Sequence, residues 1–197
     1  MKQLVIFKDE ENISVCDAVE EPKCCIDVSI NGIFLLANLE KERITKGKIT
    51  LLLEELFSYR GPHPDFMIIR VENDKVTLEL LEFKRLKSKK EEILKREIGY
   101  AIVQLVVFYS ILKGFLKVDK IDNYKLLIII PRCPSEIYTE ASNIVSKLKE
   151  SKDERKKYVE VHLTNLQKKM SIAPLILQEA INYVGVGYCK LSDCHNQ

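Results

Sequence analysis

Residues 126–130 read Leu-Leu-Ile-Ile-Ile, the heart of the segment YKLLIIIP at 124–131. A strand with one wet face alternates apolar and polar residues. This one does not, so it must be a strand covered on both faces, and Pro131 ends it. Ahead of it, SKKEEILKREIGYAIVQLVVFYSILKG (88–114) carries apolar residues at helical spacing. Ser88 is placed to cap that helix, Glu91 completes a capping box, and Gly114 can stop it. After the strand, PSEIYTEASNIVSKLKES predicts an amphipathic helix, YVEVHLTNL an alternating strand, and APLILQEAINYV a last helix before a polar tail. Helix, strand, helix, strand, helix in that order imply an α/β fold, a mixed β-sheet flanked by helices on both faces.

The first half is β-rich. QLVIF, DEEN and ISVCDAV read as strand, turn and strand, and residues 24–39 fit either a strand or a helix. ITKGKITLLLEELFSYRG predicts a helix from Lys48 to Tyr59, stopped by Gly61 and Pro62. The 197 residues fit one domain, 1–197. No apolar run is long enough to cross a bilayer and no signal-peptide pattern opens the chain, so the expectation is an intracellular, cytoplasmic protein. Net charge is +2, close to balanced, so composition alone does not announce a nucleic-acid binder. A composition rich in Lys, Glu and Ile suits a thermophile. The six cysteines, Cys16, Cys24, Cys25, Cys133, Cys189 and Cys194, include no CxxC pair, so they read as buried or free thiols, with disulfides or a metal site that uses Cys24 or Cys25 as a distant partner as the alternatives. Cys189, Cys194 and His195 fit no standard zinc spacing.

Between the two halves lies PDFMIIRVENDKVTLELLEFKRLK, residues 64–87. Asn73-Asp74 favour a turn, since both tolerate left-handed backbone. With them as the loop, Glu72 faces Lys75, Val71 faces Val76, Ile69 faces Leu78 and Met67 faces Leu80. The same register sets Asp65 opposite Glu82. Paired residues share a face with Cβ atoms roughly 5 Å apart, and alternation adds Lys84 to that face. Two carboxylates side by side repel unless a cation lies between them. A hard divalent ion such as Mg²⁺ takes oxygen ligands, and an adjacent Lys can orient a water. The alternative is a set of strand-end charges in solvent, with Lys84 pairing Glu82.

Pro64-Asp65 followed by Glu82-Phe83-Lys84 resembles the PD-(D/E)XK nuclease superfamily, which includes archaeal Holliday-junction resolvases and RecB-type nucleases. The resemblance covers about residues 47–131, with an N-terminal β extension at 1–40 and a C-terminal αβα extension at 134–185. It implies a restriction-endonuclease-like core and a divalent-metal-dependent deoxyribonuclease. Asp65, Glu82 and the main-chain carbonyl of Phe83 would hold Mg²⁺ (or Mn²⁺), and Lys84 would position the attacking water. Many members add an acid from the preceding helix, for which Glu54 and Glu55 are both candidates. RecB-type members carry a Gln in the helix after the ExK. Here that helix offers Gln104, which either reaches the site or is satisfied by backbone. Some RecB-type members bind an iron–sulfur cluster through one early and three late cysteines; this chain falls one ligand short unless His195 serves, so no cluster is expected.

In a nuclease, the run KRLKSKK (84–90) would lead DNA to the N-terminus of the long helix, where backbone N–H groups favour phosphate. Arg85, Lys87, Lys89 and Lys90 would supply sequence-neutral contacts, and Arg60 or His63 could touch substrate from the preceding loop. A solvated basic patch is the alternative. Homodimerisation is plausible by the same resemblance. A competing function is a non-catalytic nucleic-acid-binding or assembly protein that keeps the fold. A third, an α/β enzyme of another class, lacks support from any G-x-G-x-x-G, P-loop, G-x-S-x-G or paired metal histidines.

Overall fold

The computed structural model describes residues 2–8, 12–16, 24–29, 33–38, 42–43, 61–86, 88–116, 121–131, 135–158, 161, 164 and 174–191. The predicted helix at 48–59 lies outside them. The elements, in chain order, are β1 (Lys2–Lys8), β2 (Asn12–Cys16), β3 (Cys24–Ser29), β4 (Ile33–Asn38), β5 (Glu42–Arg43), β6 (Phe66–Glu72) and β7 (Lys75–Phe83). Then come α1 (Glu91–Leu116), β8 (Asn123–Pro131), α2 (Ser135–Glu150), α3 (Lys152–Tyr158), α4 (Pro174–Asn182) and β9 (Val184–Leu191). The strands form one mixed sheet in the order β2-β3-β9-β8-β7-β6-β4-β1-β5.

The β6–β7 hairpin follows the register its turn dictates. Asn73 and Asp74 both have positive φ, 49° and 60°. Two consecutive left-handed residues match the twist of a tight hairpin. The ladder runs from Glu72↔Lys75 to Phe66↔Leu81. β8 joins β7 in parallel, and β9 joins β8 in parallel. Because β7, β8 and β9 advance across the sheet in one direction, right-handed crossovers put their connecting helices on the same face. Accordingly α1, α2 and α4 all pack with Met67, Leu80, Leu126, Ile128 and Val184. Where helices were expected on both faces, the described helices share one.

The other face is covered by strands. Val15, Cys24 and Val28 of the β2–β3 hairpin pack with Phe66, Ile68, Leu81, Phe83 and Ile129. Chain length makes this a curl. β1 and β2 stand seven places apart in strand order, about 34 Å in a flat sheet. Lys8 and Asn12 are only four residues apart, which reach about 14 Å. The sheet therefore coils until its two ends approach over the face opposite the helices.

Several sequence expectations are corrected. β9 occupies what read as a polar tail. Its Gly185 and Gly187 hide the strand signal, yet a Cβ at Gly187 would stand 2.7 Å from the Ile129 side chain. The stretch YVEVHLTNL is not a strand where it is described, since Tyr158, Val161 and Thr164 are helical. Ser88 does not cap α1. Its hydroxyl accepts the Lys90 N–H at 3.1 Å, while the Lys90 carbonyl accepts the Leu94 N–H that opens the helix. The helix also runs past Gly114 to Leu116. The described cysteines are not free thiols: Cys16 is joined to Cys25 and Cys24 to Cys189, while Cys133 and Cys194 lie outside the described residues.

Candidate functional site

The site lies where β6 begins and β7 ends. Asp65 stands one step beyond the last paired rung, Phe66↔Leu81, so the ladder carries it to Glu82. Its carboxylate Oδ2 accepts the Phe83 N–H at 2.7 Å, which closes the open end of the hairpin. Glu82 is 1% exposed, with Lys84 Nζ 2.5 Å from its Oε1. Lys84 in turn is fixed by its backbone N–H, which donates to the Ile129 carbonyl at 2.8 Å. The three expected side chains thus converge, and Glu82 is a buried group rather than a solvated strand end.

The loop that delivers Asp65 is held from above by α1. Gln104 Nε2 donates to the His63 carbonyl at 2.9 Å. Of the two expectations for Gln104, backbone satisfaction is what this contact supplies, and the backbone belongs to the acid loop. His63 Nδ1 lies 3.1 Å from the Pro64 carbonyl, so the ring folds back on the same turn. Pro64 is buried and Asp65 half-buried.

The basic run is less uniform than its sequence. Arg85 is half-buried, Leu86 buried and Lys90 exposed. Lys89 forms an ion pair with Glu136 of α2 and holds that carboxyl below its ordinary range through a hydrogen bond and its charge. Lys95 does the same to Glu91 one turn into α1. A cavity of 370 Å³ opens between the two helix starts, lined by Lys89, Glu91, Leu94, Glu136, Ile137 and Glu140. Three acids face one base there, which disfavours phosphate in that cavity. Glu54, Glu55, Arg60 and Lys87 lie outside the described residues.

The donors Asp65, Glu82 and the Phe83 carbonyl are all hard oxygens, which suit Mg²⁺ or Mn²⁺. Among the described residues no cluster of three or more His, Cys, Asp or Glu side chains is disposed to hold a metal ion. The donor chemistry fits the ion; among described side chains it consists of two carboxylates. Cys24 and Cys189 meet, but alternation along β3 sends Cys25 to the opposite face, where it pairs with Cys16. The four sulfurs therefore form two pairs and not one tetrahedral set.

A second charged cluster escaped the sequence reading. Glu79, 4% exposed, accepts hydrogen bonds from Arg70 at 3.2 Å and Lys125 at 2.9 Å. A lone Glu inside the apolar run Leu78–Leu81 was the available signal. Its partners sit on neighbouring strands and left none.

No family model, no curated protein and no solved structure matches this chain. No described helix is long and apolar enough to cross a membrane.

Proposed function

We propose that this chain is a divalent-metal-dependent deoxyribonuclease with a restriction-endonuclease-like core, in which Asp65, Glu82 and Lys84 form the active site. The observation that carries this reading is the convergence of Asp65, Glu82 and Lys84 at one end of the β6–β7 hairpin. Asp65 and Glu82, with the Phe83 carbonyl, would hold Mg²⁺ or Mn²⁺; the bound ion lowers the pKa of water and offsets phosphate charge. Lys84 orients the nucleophilic water and stabilises charge developing on the phosphoryl oxygens. Gln104 keeps the acid loop in place through the His63 carbonyl. Arg85 and Lys90 hold the DNA backbone near the start of α1 without reading sequence. The thermophile-like composition is compatible with two disulfides, because intracellular proteins of hyperthermophiles carry them.

The test is cleavage of linear, single-stranded and four-way-junction DNA with Mg²⁺ or Mn²⁺, beside Glu82→Gln and Lys84→Ala. Wild-type cutting with binding but no cutting by both variants supports the reading. Absence of cutting by wild type with either metal overturns it. A second reading, a non-catalytic nucleic-acid-binding protein, draws on the 2.5 Å Glu82–Lys84 ion pair, which neutralises Glu82 without a metal. DNA binding with no metal-dependent cleavage, unchanged in both variants, would select it.

A further inference from the structure

The β2–β3 hairpin joins the rest of the sheet at one seam, β3 against β9. The ladders along the sheet are long: six rungs for β4–β6, seven for β6–β7, seven for β7–β8 and six for β8–β9. Among the described residues, the β3–β9 ladder that attaches the β2–β3 hairpin has two, Cys24↔Leu191 and Cys25↔Lys190. The Cys24–Cys189 disulfide crosses that same seam and links positions 165 residues apart. Both of its cysteines are buried, 3% and 1% exposed. Cys16 and Cys25 are half-buried, and their disulfide spans β2 and β3 within the hairpin itself. The outer bond therefore secures the hairpin's own two strands. Of the two disulfides, only the inner one ties the hairpin to the rest of the sheet.

We propose that Cys24–Cys189 is a redox latch. While it is closed, the β2–β3 hairpin stays seated on Phe66, Ile68, Leu81, Phe83 and Ile129. A dithiol reductant delivers two electrons and two protons, splitting the S–S bond into two thiols while the dithiol closes to its own disulfide. Among the described residues, the hairpin is then held to the sheet by the rungs at Cys24 and Cys25 and by the packing of Val15, Cys24 and Val28. Segments with few links to the rest of a fold open locally without global unfolding. Phe83 lies under the hairpin, and its N–H is held by Asp65, so opening reaches the backbone between Glu82 and Lys84. Burial makes the latch slow: solvent dithiol reaches Cys16–Cys25 first, and the inner bond only when the hairpin lifts. The inference is independent of DNA cleavage at Glu82.

Hydrogen-exchange mass spectrometry on the full chain, oxidised and dithiothreitol-reduced, tests it, with thiol counting on both forms. Reduction is expected to speed exchange in residues 12–29 and at Phe83 by about tenfold or more, with β8 unchanged. A variant with Cys16→Ser and Cys25→Ser should match oxidised wild type, then lose protection on reduction. Cys189→Ser should show fast exchange without reductant. If Cys189→Ser fails to fold, the reduced wild type still gives the answer. Exchange at 12–29 equal in the oxidised and reduced forms overturns the latch. So does finding Cys24 and Cys189 as free thiols, or bound to a metal, in protein purified without reductant.

Discussion

Strand β7 buries two glutamates three residues apart, Glu79 and Glu82, and the surroundings of the two differ. Glu79 lies mid-strand, with a cation from each neighbouring strand, Arg70 of β6 and Lys125 of β8. Arg70 also approaches Glu72 at 3.8 Å. Charges gathered from three strands lock a register. Glu82 lies at the strand end, where its cation comes from two residues along the same chain and its cross-strand neighbour is another acid, Asp65. A buried carboxylate held by its neighbours on both sides serves the fold. One set beside a second carboxylate at a strand end is disposed to meet something else.

The sharpest way to break this contrast is to neutralise each acid in turn. Glu82→Gln is expected to lower Mg²⁺-dependent DNA cleavage by about 10³-fold or more while leaving the urea midpoint nearly unchanged. Glu79→Gln should keep the cleavage. If Glu79→Gln also abolishes cutting in a folded protein, the division between structural and functional acid fails.

Next in size is stability. Glu79→Ala should cost about 3 kcal/mol in urea unfolding, because Arg70 is left in the sheet without its buried partner. Lys125→Ala should cost about 1 kcal/mol, since half of Lys125 already faces water and Arg70 still pairs Glu79. A double-mutant cycle of Arg70 and Glu79 measures the coupling directly. Gln104→Ala should cost about 1 kcal/mol by releasing the His63 carbonyl. It should speed amide exchange across residues 63–65 more than across β8, which a purely global loss would not do.

The smallest effect concerns a buried ionisable group that belongs to neither set. Burial pushes Tyr109 well above its ordinary value of 10.0, with Glu179 adding to the shift. Its ring packs against Tyr124 and Tyr183, and its hydroxyl has no hydrogen-bond partner among the described residues. The folded state favours the neutral phenol. Its contribution is therefore intact below about pH 10 and is lost as pH rises toward the raised folded value. Unfolding midpoints should stay flat from about pH 7 to 9 with respect to this group and fall above about 10. Tyr109→Phe should soften that fall and leave neutral-pH stability equal or up to about 1 kcal/mol higher.

Much of the candidate site was legible because a tight turn fixes everything outward from it. Asn73-Asp74 set the index sum, and that sum put Asp65 across from Glu82, eight residues from the turn on either strand. The seating of Lys84 against Ile129 was not legible, since it depends on β8 arriving in parallel from beyond a 26-residue helix. β9 was missed because glycine is depleted in strands. Here Gly185 and Gly187 leave room for Leu127 and Ile129 to lean across. The second Glu of LELLEF was read as functional. The first passed unnoticed, although it is nearly as deeply buried.

The sequence by itself determined the β6–β7 register, the long α1 helix and the doubly covered β8. Each follows from forces that act within a few residues: turn conformation, side-chain alternation and helical spacing. Tertiary structure alone decided that the described helices share one face and that the sheet curls until β2–β3 lies over the other. It also brought Gln104 to the His63 carbonyl, Arg70 and Lys125 to Glu79, and Cys24 to Cys189. Those meetings join residues up to 165 positions apart. Strand order and crossover handedness set them, and neither is written in any short stretch of chain.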